Sequence, residues 1–282
     1  AAPLALAPAM NRQMYAHPAT QANLATLQAR GVQLLGPAAG AQACGEVGPG
    51  RMLEPAEILD ALSAQGPLCG RRVVVNAGPT LEDLDPVRFI GNRSSGRMGF
   101  EIAAAARRLG AEVTLVAGPV SLPTPVGVRR INVRSAAQML EACLGAVESA
   151  QVFIGAAAVA DYRAAEVLSV KRKRAGVERL TLELVRNPDV IAEVAARFPG
   201  LYTVGFAAET LQGEALLSEA RRKLVAKGLA LVCANTVGEG LGFEVDENAL
   251  CLVDAERTLS LGPLPKSVLA GALMREIAAR LE

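Results

Sequence analysis

Arg72-Val-Val-Val-Asn76, then Ala77-Gly-Pro-Thr80, then Gly91-Asn-Arg-Ser-Ser-Gly-Arg-Met-Gly99 running into Phe100-Glu-Ile-Ala-Ala-Ala-Ala-Arg107, decide the fold class of this chain. The first segment is short, apolar and β-branched, the pattern of a strand buried on both faces. The last has the composition of a helix. Between them lies a loop rich in glycine and serine. Strand, loop and helix start together make an anion site: the free N–H groups and positive end of the helix face the loop, and glycine lets a phosphate approach the backbone. Gly91 to Gly96 has the spacing of a nucleotide-binding P-loop, but Arg97 and Met98 stand where that motif carries Lys and Ser/Thr. The hydroxyl that would hold magnesium is missing from its place. This is a phosphate loop of a different kind.

Outward from that stretch the chain alternates strand and helix. The pattern predicts strands at 72–77, 112–117, 129–133, 151–156, 202–206 and 230–234, and helices at 98–109, 136–147, 189–197, 213–227 and 266–281. Such alternation gives an α/β fold with a doubly wound, Rossmann-like parallel sheet. Residues 162–186 break the rhythm with a basic run and the alternating Leu180-Thr-Leu-Glu-Leu-Val185, and read as a hairpin or flap projecting from the sheet. Asn248–Val253 and Thr258–Leu261 read as a late β-hairpin. Before residue 63 the sequence predicts the tail of a buried strand at Leu4–Ala7 whose partners are not in the chain, a helix around Gln21–Ala29, a short strand at Val32–Leu35, a glycine-rich loop at Gly40–Gly50 and a helix at Pro55–Ser63. That is too little for an independent α/β domain, so the chain is expected to start inside one. Ser63–Gly70 reads as a linker.

Composition narrows the function. The chain has 282 residues, 51% hydrophobic and only 3% aromatic, with no tryptophan, so the core is expected to be Ala, Val, Leu and Ile. A net charge of +1 argues against nucleic-acid or membrane binding by bulk electrostatics. No apolar run approaches the roughly 20 residues that cross a bilayer. The five cysteines, Cys44, Cys69, Cys143, Cys233 and Cys251, form no CxxC pair, which points to a reducing cytoplasm rather than a disulfide framework or a zinc site. The sole histidine, His17, lies in a polar segment and reads as a surface residue.

In open α/β sheets ligands bind beyond the carboxyl ends of the strands. The phosphate loop follows the first strand. Ala156-Ala-Ala-Val-Ala-Asp161-Tyr162 follows the fourth, where small residues admit a ligand against the backbone and Asp161 can hold a metal or a hydroxyl, or close a turn. Gly205-Phe206-Ala-Ala-Glu209-Thr210 and then Asn235 follow the next two. Lys171-Arg-Lys-Arg174 reads either as a solvated face or as a mobile arm that places a lysine over developing negative charge. Lys223 and Lys227, spaced i,i+4, share one helix side. Asn187-Pro-Asp189 is a helix start with Asp189 as N-cap. Cys44, in a glycine-rich loop, suits a proton donor or nucleophile.

Together these motifs carry a resemblance. Pro8-Ala-Met-Asn11, Ala43-Cys44-Gly-x-x-Gly-x-Gly-Arg51-Met52, Ala77-Gly-Pro-Thr80, Asp85-Pro-Val-Arg88-Phe-Ile-x-Asn92-Arg-Ser-Ser-Gly96, Ala157-Ala-Val-Ala-Asp161-Tyr162, Asn187-Pro-Asp189, Gly205-Phe-Ala-Ala-Glu-Thr210 and Gly242-Phe-x-x-Asp246-x-Asn248 occur in one order. The chain resembles the bacterial bifunctional phosphopantothenoylcysteine decarboxylase/phosphopantothenate–cysteine ligases of coenzyme A biosynthesis. The resemblance implies two parts: residues 1–69, the C-terminal remnant of a flavodoxin-like FMN domain, and residues 70–282, a ligase domain. It implies that the ligase activates the carboxylate of 4′-phosphopantothenate with CTP as an acyl-cytidylate, and that cysteine then displaces CMP. By the same resemblance Ser94, Gly96 and Gly99 hold phosphates, while Arg88, Asn92, Ala157 and Ala158 bind or orient phosphopantothenate and its acyl-cytidylate. Gly155, Ala156, Ala157, Asp161, Asn187, Pro188, Asp189, Val190, Phe206, Lys223 and Lys227 match nucleotide-binding positions. Lys171 matches a flap lysine needed for turnover. Mg2+, with Asp161 as its protein contact, offsets the triphosphate charge.

In the decarboxylase part, Asn11 matches a substrate carboxylate contact and Cys44 the cysteine that protonates the enethiolate. The family's catalytic histidine and most FMN loops fall earlier than Pro8, so this chain by itself is not expected to decarboxylate. The resemblance also implies a homodimer through the ligase domain and a larger assembly in the full-length parent. Three positions depart from the family pattern: Thr236 replaces the usual Asp, Asn76 a usual Thr or Ser, and Lys171-Arg-Lys-Arg a Lys-Ile-Lys-Lys run. Two other readings compete. An NAD(P)-dependent oxidoreductase needs G-x-G-x-x-G after the first strand and an acidic residue after the second, and Ala77-Gly-Pro-Thr and Gly118-Pro fail both tests. A non-catalytic flavoprotein-related regulatory module would have no use for Asn92, Asp161 and Lys171.

Overall fold

The computed structural model describes residues 4–42, 45–63, 66–171, 180–238 and 246–281. The chain divides into two compact units, Ala1–Gly66 and Pro67–Glu282. The first contains β1 (Ala5–Leu6), α1 (Arg12–Ala16), α2 (Pro18–Ala29), β2 (Gln33–Leu34), β3 (Ala38–Ala41), β4 (Val47–Arg51) and α3 (Pro55–Ser63). β1 pairs in parallel with β2, so the Leu4–Ala7 strand finds a partner within the chain, and Leu4 and Leu6 are exposed. Helix α2 starts earlier than the sequence suggests because Pro18 occupies its first turn and His17 caps it, Nδ1 accepting from the Ala19 N–H at 3.2 Å. His17 is thus a surface capping residue. Most of the segment 40–50 forms part of an antiparallel hairpin, β3 with β4, and not a loop. Its glycines lower strand propensity, yet a ladder needs only backbone groups, and the Gly40–Gly48 pair supplies them.

The second unit contains β5 (Arg72–Ala77), β6 (Leu81–Asp83), β7 (Phe89–Gly91), α4 (Arg97–Arg108), β8 (Glu112–Ala117), β9 (Val128–Asn132), α5 (Ala136–Val147), β10 (Val152–Gly155), β11 (Tyr162–Ala164), β12 (Leu184–Arg186), α6 (Val190–Arg197), β13 (Tyr202–Glu209), α7 (Gly213–Ala226), β14 (Leu231–Thr236), β15 (Glu247–Val253), β16 (Thr258–Pro265) and α8 (Lys266–Arg280). Eight of these strands make one sheet in the order β16-β15-β14-β13-β10-β5-β8-β9. From β14 to β9 every pairing is parallel, and the expected late hairpin, β15–β16, adds two antiparallel strands at one edge.

Strand periodicity sorts the core. Val73 and Val75 of β5 join the cluster under α4 and α8, whereas Val74 joins the one under α5 and α6. Helix α7 covers Val232 and Ala234 of β14 on the same side as α5 and α6. Both faces of the sheet are therefore covered, as a parallel sheet requires. Leu68, within the segment that reads as a linker, is fully buried in this core, and its N–H donates to the Leu109 carbonyl at 2.9 Å. Strand β13 runs on to Glu209, beyond the expected 206, because β14 pairs with it through Thr236. The small hairpin β6–β7 interrupts the loop between β5 and α4 and is pinned by Glu82: its buried Oε1 accepts from the Ala136 N–H at the start of α5, at 2.8 Å. The flap expected over 162–186 begins and ends as an antiparallel pair, β11 with β12, Tyr162 opposite Arg186.

Strand order places the site. From β5 the chain winds outward through β8 to β9, then returns to β10 on the other side of β5 and winds away through β13 and β14. The reversal between β5 and β10 is the switch point where a crevice opens at the carboxyl ends of the strands. Gly99, in the first turn of α4, lies where a Cβ would come 2.5 Å from the Ala77 Cβ, so glycine is needed to bring the helix start against the strand end. Gly99→Ala should therefore lower unfolding stability by about 1–3 kcal/mol through overpacking. Denaturant titration without nucleotide checks this, and an unchanged midpoint would count against it.

Candidate active site

At the switch point the loops leaving β5 and β10 are fastened to each other. The Ala156 N–H donates to the Asn76 carbonyl at 3.2 Å, and the Ala158 N–H to the Gly78 carbonyl at 2.9 Å. The Thr80 N–H returns a bond to the Ala158 carbonyl at 3.2 Å. Two buried side chains complete the clamp: Asn76 Oδ1 accepts from the Ala157 N–H at 2.9 Å and Thr80 Oγ1 from the Ala160 N–H at 2.9 Å. The backbone donors of 156–158 and 160 are thus spent on the scaffold, so the small residues here serve a ligand by close contact and not as N–H donors. Asn76 Nδ2 also lies 3.9 Å from Cys143 Sγ. Burial pushes the Cys143 thiol up to about 12, the Asn76 contact opposing, so it is a packing residue and not a nucleophile.

Two cavities flank this clamp. The larger, about 540 Å3, is lined by Gly155, Ala157, Asp161, Asn187 and Pro188, with Asp189, Val190, Phe206 and Lys227 closing it. These nine include most of the expected nucleotide positions. Asn187 is 6% exposed, with Nδ2 donating to the Ala160 carbonyl at 2.8 Å and Oδ1 accepting from Arg163 at 3.1 Å. It holds the rim of the cavity. Asp189 caps α6, Oδ1 accepting from the Ala192 N–H at 3.2 Å, while its Oδ2 pairs with Lys227 Nζ at 2.7 Å. The smaller cavity, about 120 Å3, is lined by Ser94, Gly96, Gly99, Ala156 and Ala158 on one side and Asn235, Asn248 and Lys266 on the other. Ala157 and Phe206 belong to both linings, so the cavities meet over the ends of β10 and β13.

The loop before α4 has the form of an anion site. Gly96 is the N-cap with φ 75°, a left-handed conformation that favours glycine, and no side chain caps the helix start. Ser94 Oγ accepts from the Gly96 N–H at 3.3 Å and so shapes the turn.

Other expected residues stand apart. Arg88 lies in a third cavity, about 450 Å3, beside the flap base. Buried Asp85 holds it, accepting from Arg88 Nε at 2.9 Å and from the Val87 and Arg88 N–H groups at 2.8 and 2.9 Å. Asn92 lines neither cavity of the switch point but reaches it, its Nδ2 donating to the Val159 carbonyl at 3.0 Å. Lys171 is exposed, and Arg172–Arg174 lie outside the described residues. Lys223 lies apart from the described lining that includes Lys227; it pairs with Glu209 at 2.5 Å and with Glu219 at 3.9 Å. Thr236 donates its hydroxyl to the Leu211 carbonyl at 2.9 Å, a loop-closing bond that needs no carboxylate. In the first unit Asn11 caps α1 and donates to Glu46 at 2.9 Å, and Cys44 lies outside the described residues.

The motifs name Thr80 and Asp85 without giving either a role, and nothing in the sequence marks Lys266. A buried threonine or aspartate beside a turn has no period to betray it, and Lys266 looks like any helix-opening lysine. Among the described residues no group of three His, Cys, Asp or Glu side chains is placed to hold a metal ion, and Asp161 stands as a single exposed carboxylate. No described helix is long and apolar enough to cross a membrane.

Comparison with known proteins gives the family and the fold. Residues 68–281 match the family model of the DNA/pantothenate metabolism flavoprotein C-terminal domain, and residues 1–65 match that of flavoproteins. The chain is 53% identical over 282 residues to the coenzyme A biosynthesis bifunctional protein CoaBC of Vibrio cholerae, covering 98% of this chain and 70% of that protein. It is 48% identical over 291 residues to CoaBC of Escherichia coli, covering 100% of this chain and 70% of the relative. Among solved structures, the C-terminal domain of a CoaBC superposes with a TM-score of 0.65 at 34% identity, covering 77% of this chain and 98% of that domain. Identity of about half along nearly the whole of this chain, with a family model matching residues 68–281, shows that the chain belongs to the CoaBC family of coenzyme A biosynthesis proteins.

Proposed function

We propose that the second unit, about residues 70–282, is a phosphopantothenate–cysteine ligase that uses CTP, and that residues 1–69 are part of a flavoprotein decarboxylase domain. The observation that carries the reading is the pair of cavities meeting over Ala157 and Phe206. One is large enough for a nucleoside, and the other is small and faces a helix start with unspent N–H groups. A triphosphate laid across their junction presents its α-phosphorus over the small residues of the β10 loop.

In that pose an oxygen of the 4′-phosphopantothenate carboxylate attacks the α-phosphorus. The bond from that phosphorus to the bridging oxygen breaks, and pyrophosphate leaves with the electron pair. The amine of cysteine then attacks the acyl carbon, an amide forms, the amine loses a proton, and CMP departs. The first turn of α4, with Ser94, Gly96 and Gly99, stabilises phosphate charge through fixed dipoles that need no reorganisation. Gly155, Ala156, Asp161, Asn187–Val190, Phe206 and Lys227 hold the nucleoside side, with Lys223 setting the Glu209 end of β13. Arg88, Asn92, Ala157 and Ala158 orient phosphopantothenate and the acyl-cytidylate. Lys171, which is exposed, supplies a cation to the developing charge.

A magnesium ion carried by the nucleotide would need little from the protein, because Mg2+ is usually bound by substrate phosphates and few carboxylates, and the exposed Asp161 carboxylate would be its protein contact. When bound it neutralises phosphate oxygens. Residues 1–65 match the flavoprotein family model, the kind of domain that carries a flavin. FMN is therefore assigned to the parent enzyme, with Asn11 as a substrate contact and Cys44 as proton donor. A cytoplasmic enzyme acting as a homodimer through the ligase domain accords with this role.

Pyrophosphate release from CTP that depends on phosphopantothenate tests the reading, and its absence from the purified chain with magnesium would sink it. Lys171→Gln should reduce turnover by about 100-fold or more, the range of a lost transition-state charge contact. Its melting temperature should stay unchanged, since exposed substitutions cost little. Full activity in that variant would make the basic run a solvated face. Asn92→Asp replaces the donor to the Val159 carbonyl with a carboxylate that repels the intermediate's phosphate. It should slow use of the acyl-cytidylate, seen as a lower single-turnover rate of amide formation. Wild-type steady-state and single-turnover rates would remove Asn92 from the site.

A further inference from the structure

Lys266 opens α8 and is only 6% exposed, an uncommon state for lysine. It lines the smaller cavity opposite the first turn of α4. Its backbone N–H donates to the Asp246 carbonyl at 3.0 Å, which fixes where α8 begins, and the Asp246 carboxylate is engaged by Arg97 at 2.5 Å. Asn235, 7% exposed, lines the same wall. Among the described residues its carboxamide makes no hydrogen bond, and no polar side-chain atom there is both sealed from solvent and unpartnered. The carboxamide therefore faces the cavity. Helix dipole, buried cation and unspent amide converge on a space of about 120 Å3, too small for a nucleoside and suited to phosphate groups.

We propose that Lys266 is the cation that receives the pyrophosphate end of the nucleotide, a further binding residue for the ligation. The inference rests on the nucleotide reading given above. When the α-phosphorus–oxygen bond breaks, its electron pair leaves on the bridging oxygen of pyrophosphate, and the added charge forms facing Lys266 and the α4 amides. Burial, then the neighbouring Arg97, hold the Lys266 ammonium below the usual lysine range, with Asp246 opposing. A phosphate beside it offsets both effects, so affinity concentrates on the most highly charged end of the ligand.

Lys266→Met and Lys266→Arg test this in steady-state assays with CTP, phosphopantothenate, cysteine and magnesium. In Lys266→Met, inhibition by added pyrophosphate should weaken about tenfold or more and KM for CTP should rise by a similar factor, the effect of losing one charge-assisted contact. CMP binding should stay within about twofold, and Lys266→Arg should recover most of the loss. Pyrophosphate inhibition equal to wild type in a folded Lys266→Met overturns the assignment, as does an equal loss of CMP binding. Absence of pyrophosphate release by the wild-type chain would instead overturn the ligase reading beneath it. If Lys266→Met does not fold, the wild-type chain with isotope-labelled lysine ε-methylenes decides. The signal missing from Lys266→Arg belongs to Lys266, and it should move when pyrophosphate is added; a signal that does not move overturns the proposal.

Discussion

Where β5 and β10 part, two loops must leave a parallel sheet together without stranding buried backbone groups, and that constraint shapes the rest of this fold. A parallel ladder satisfies its own N–H and C=O groups only as far as the strands run side by side. Beyond that point the Ala157 and Ala160 N–H groups would be orphans, at about 1–3 kcal/mol each. Asn76 and Thr80 remove that penalty with side-chain acceptors that the ladder itself cannot provide. Because these acceptors are short and buried, the loops stay close to the sheet and leave room above it for a ligand. The polarity that the family pattern keeps at position 76 has its physical reason here: the Ala157 N–H needs an oxygen, and Asn supplies one.

The clamp also explains why small residues line the crevice. Gly155, Ala156, Ala157 and Ala158 sit between the two cavities, and anything larger at the junction would close one cavity from the other. Gly155 already touches α6 closely, since a Cβ there would lie 2.8 Å from Ile191. Packing from below and ligand space from above therefore demand the same residue types. The same double demand holds at Gly99, where helix packing against Ala77 is sufficient reason for glycine without any phosphate.

Much of this was legible in advance, and the parts that were not have physical causes. Strands β5 and β8 and helix α5 were readable to the residue because apolar β-branched runs and a Ser135/Gln138 capping box mark their ends. The strand, the glycine- and serine-rich loop and the helix start of α4 were legible together, and the structure leaves that helix start without a side-chain cap. The hairpin β3–β4 was not legible, because its glycines and alanines carry no strand propensity and it forms by backbone pairing. Nor were the partners of the cations. Sequence spacing puts Lys223 and Lys227 on one helix, but only the fold shows that one meets Glu209 and the other Asp189. The motif Asp85-Pro-Val-Arg88 names both residues, but only the fold shows that the buried Asp85 carboxylate holds the Arg88 guanidinium.

Those ion pairs bear on how a highly charged ligand is handled. A bare cluster of lysines awaiting a triphosphate would repel itself, by about 4 kcal/mol for two charges 4 Å apart at the effective dielectric of a protein surface. In this fold the cations of the crevice stand beside acids that belong to helix caps and strand ends: Lys227 with the N-cap Asp189, and Arg97 with Asp246. An entering phosphate then exchanges one anionic partner for another and does not have to create the cationic site. Such an exchange gains less than capture by a naked cluster, but it lets product leave as readily as substrate enters. The proposed ligation, which releases both pyrophosphate and a nucleoside monophosphate in each cycle, is better served by exchange than by tight capture.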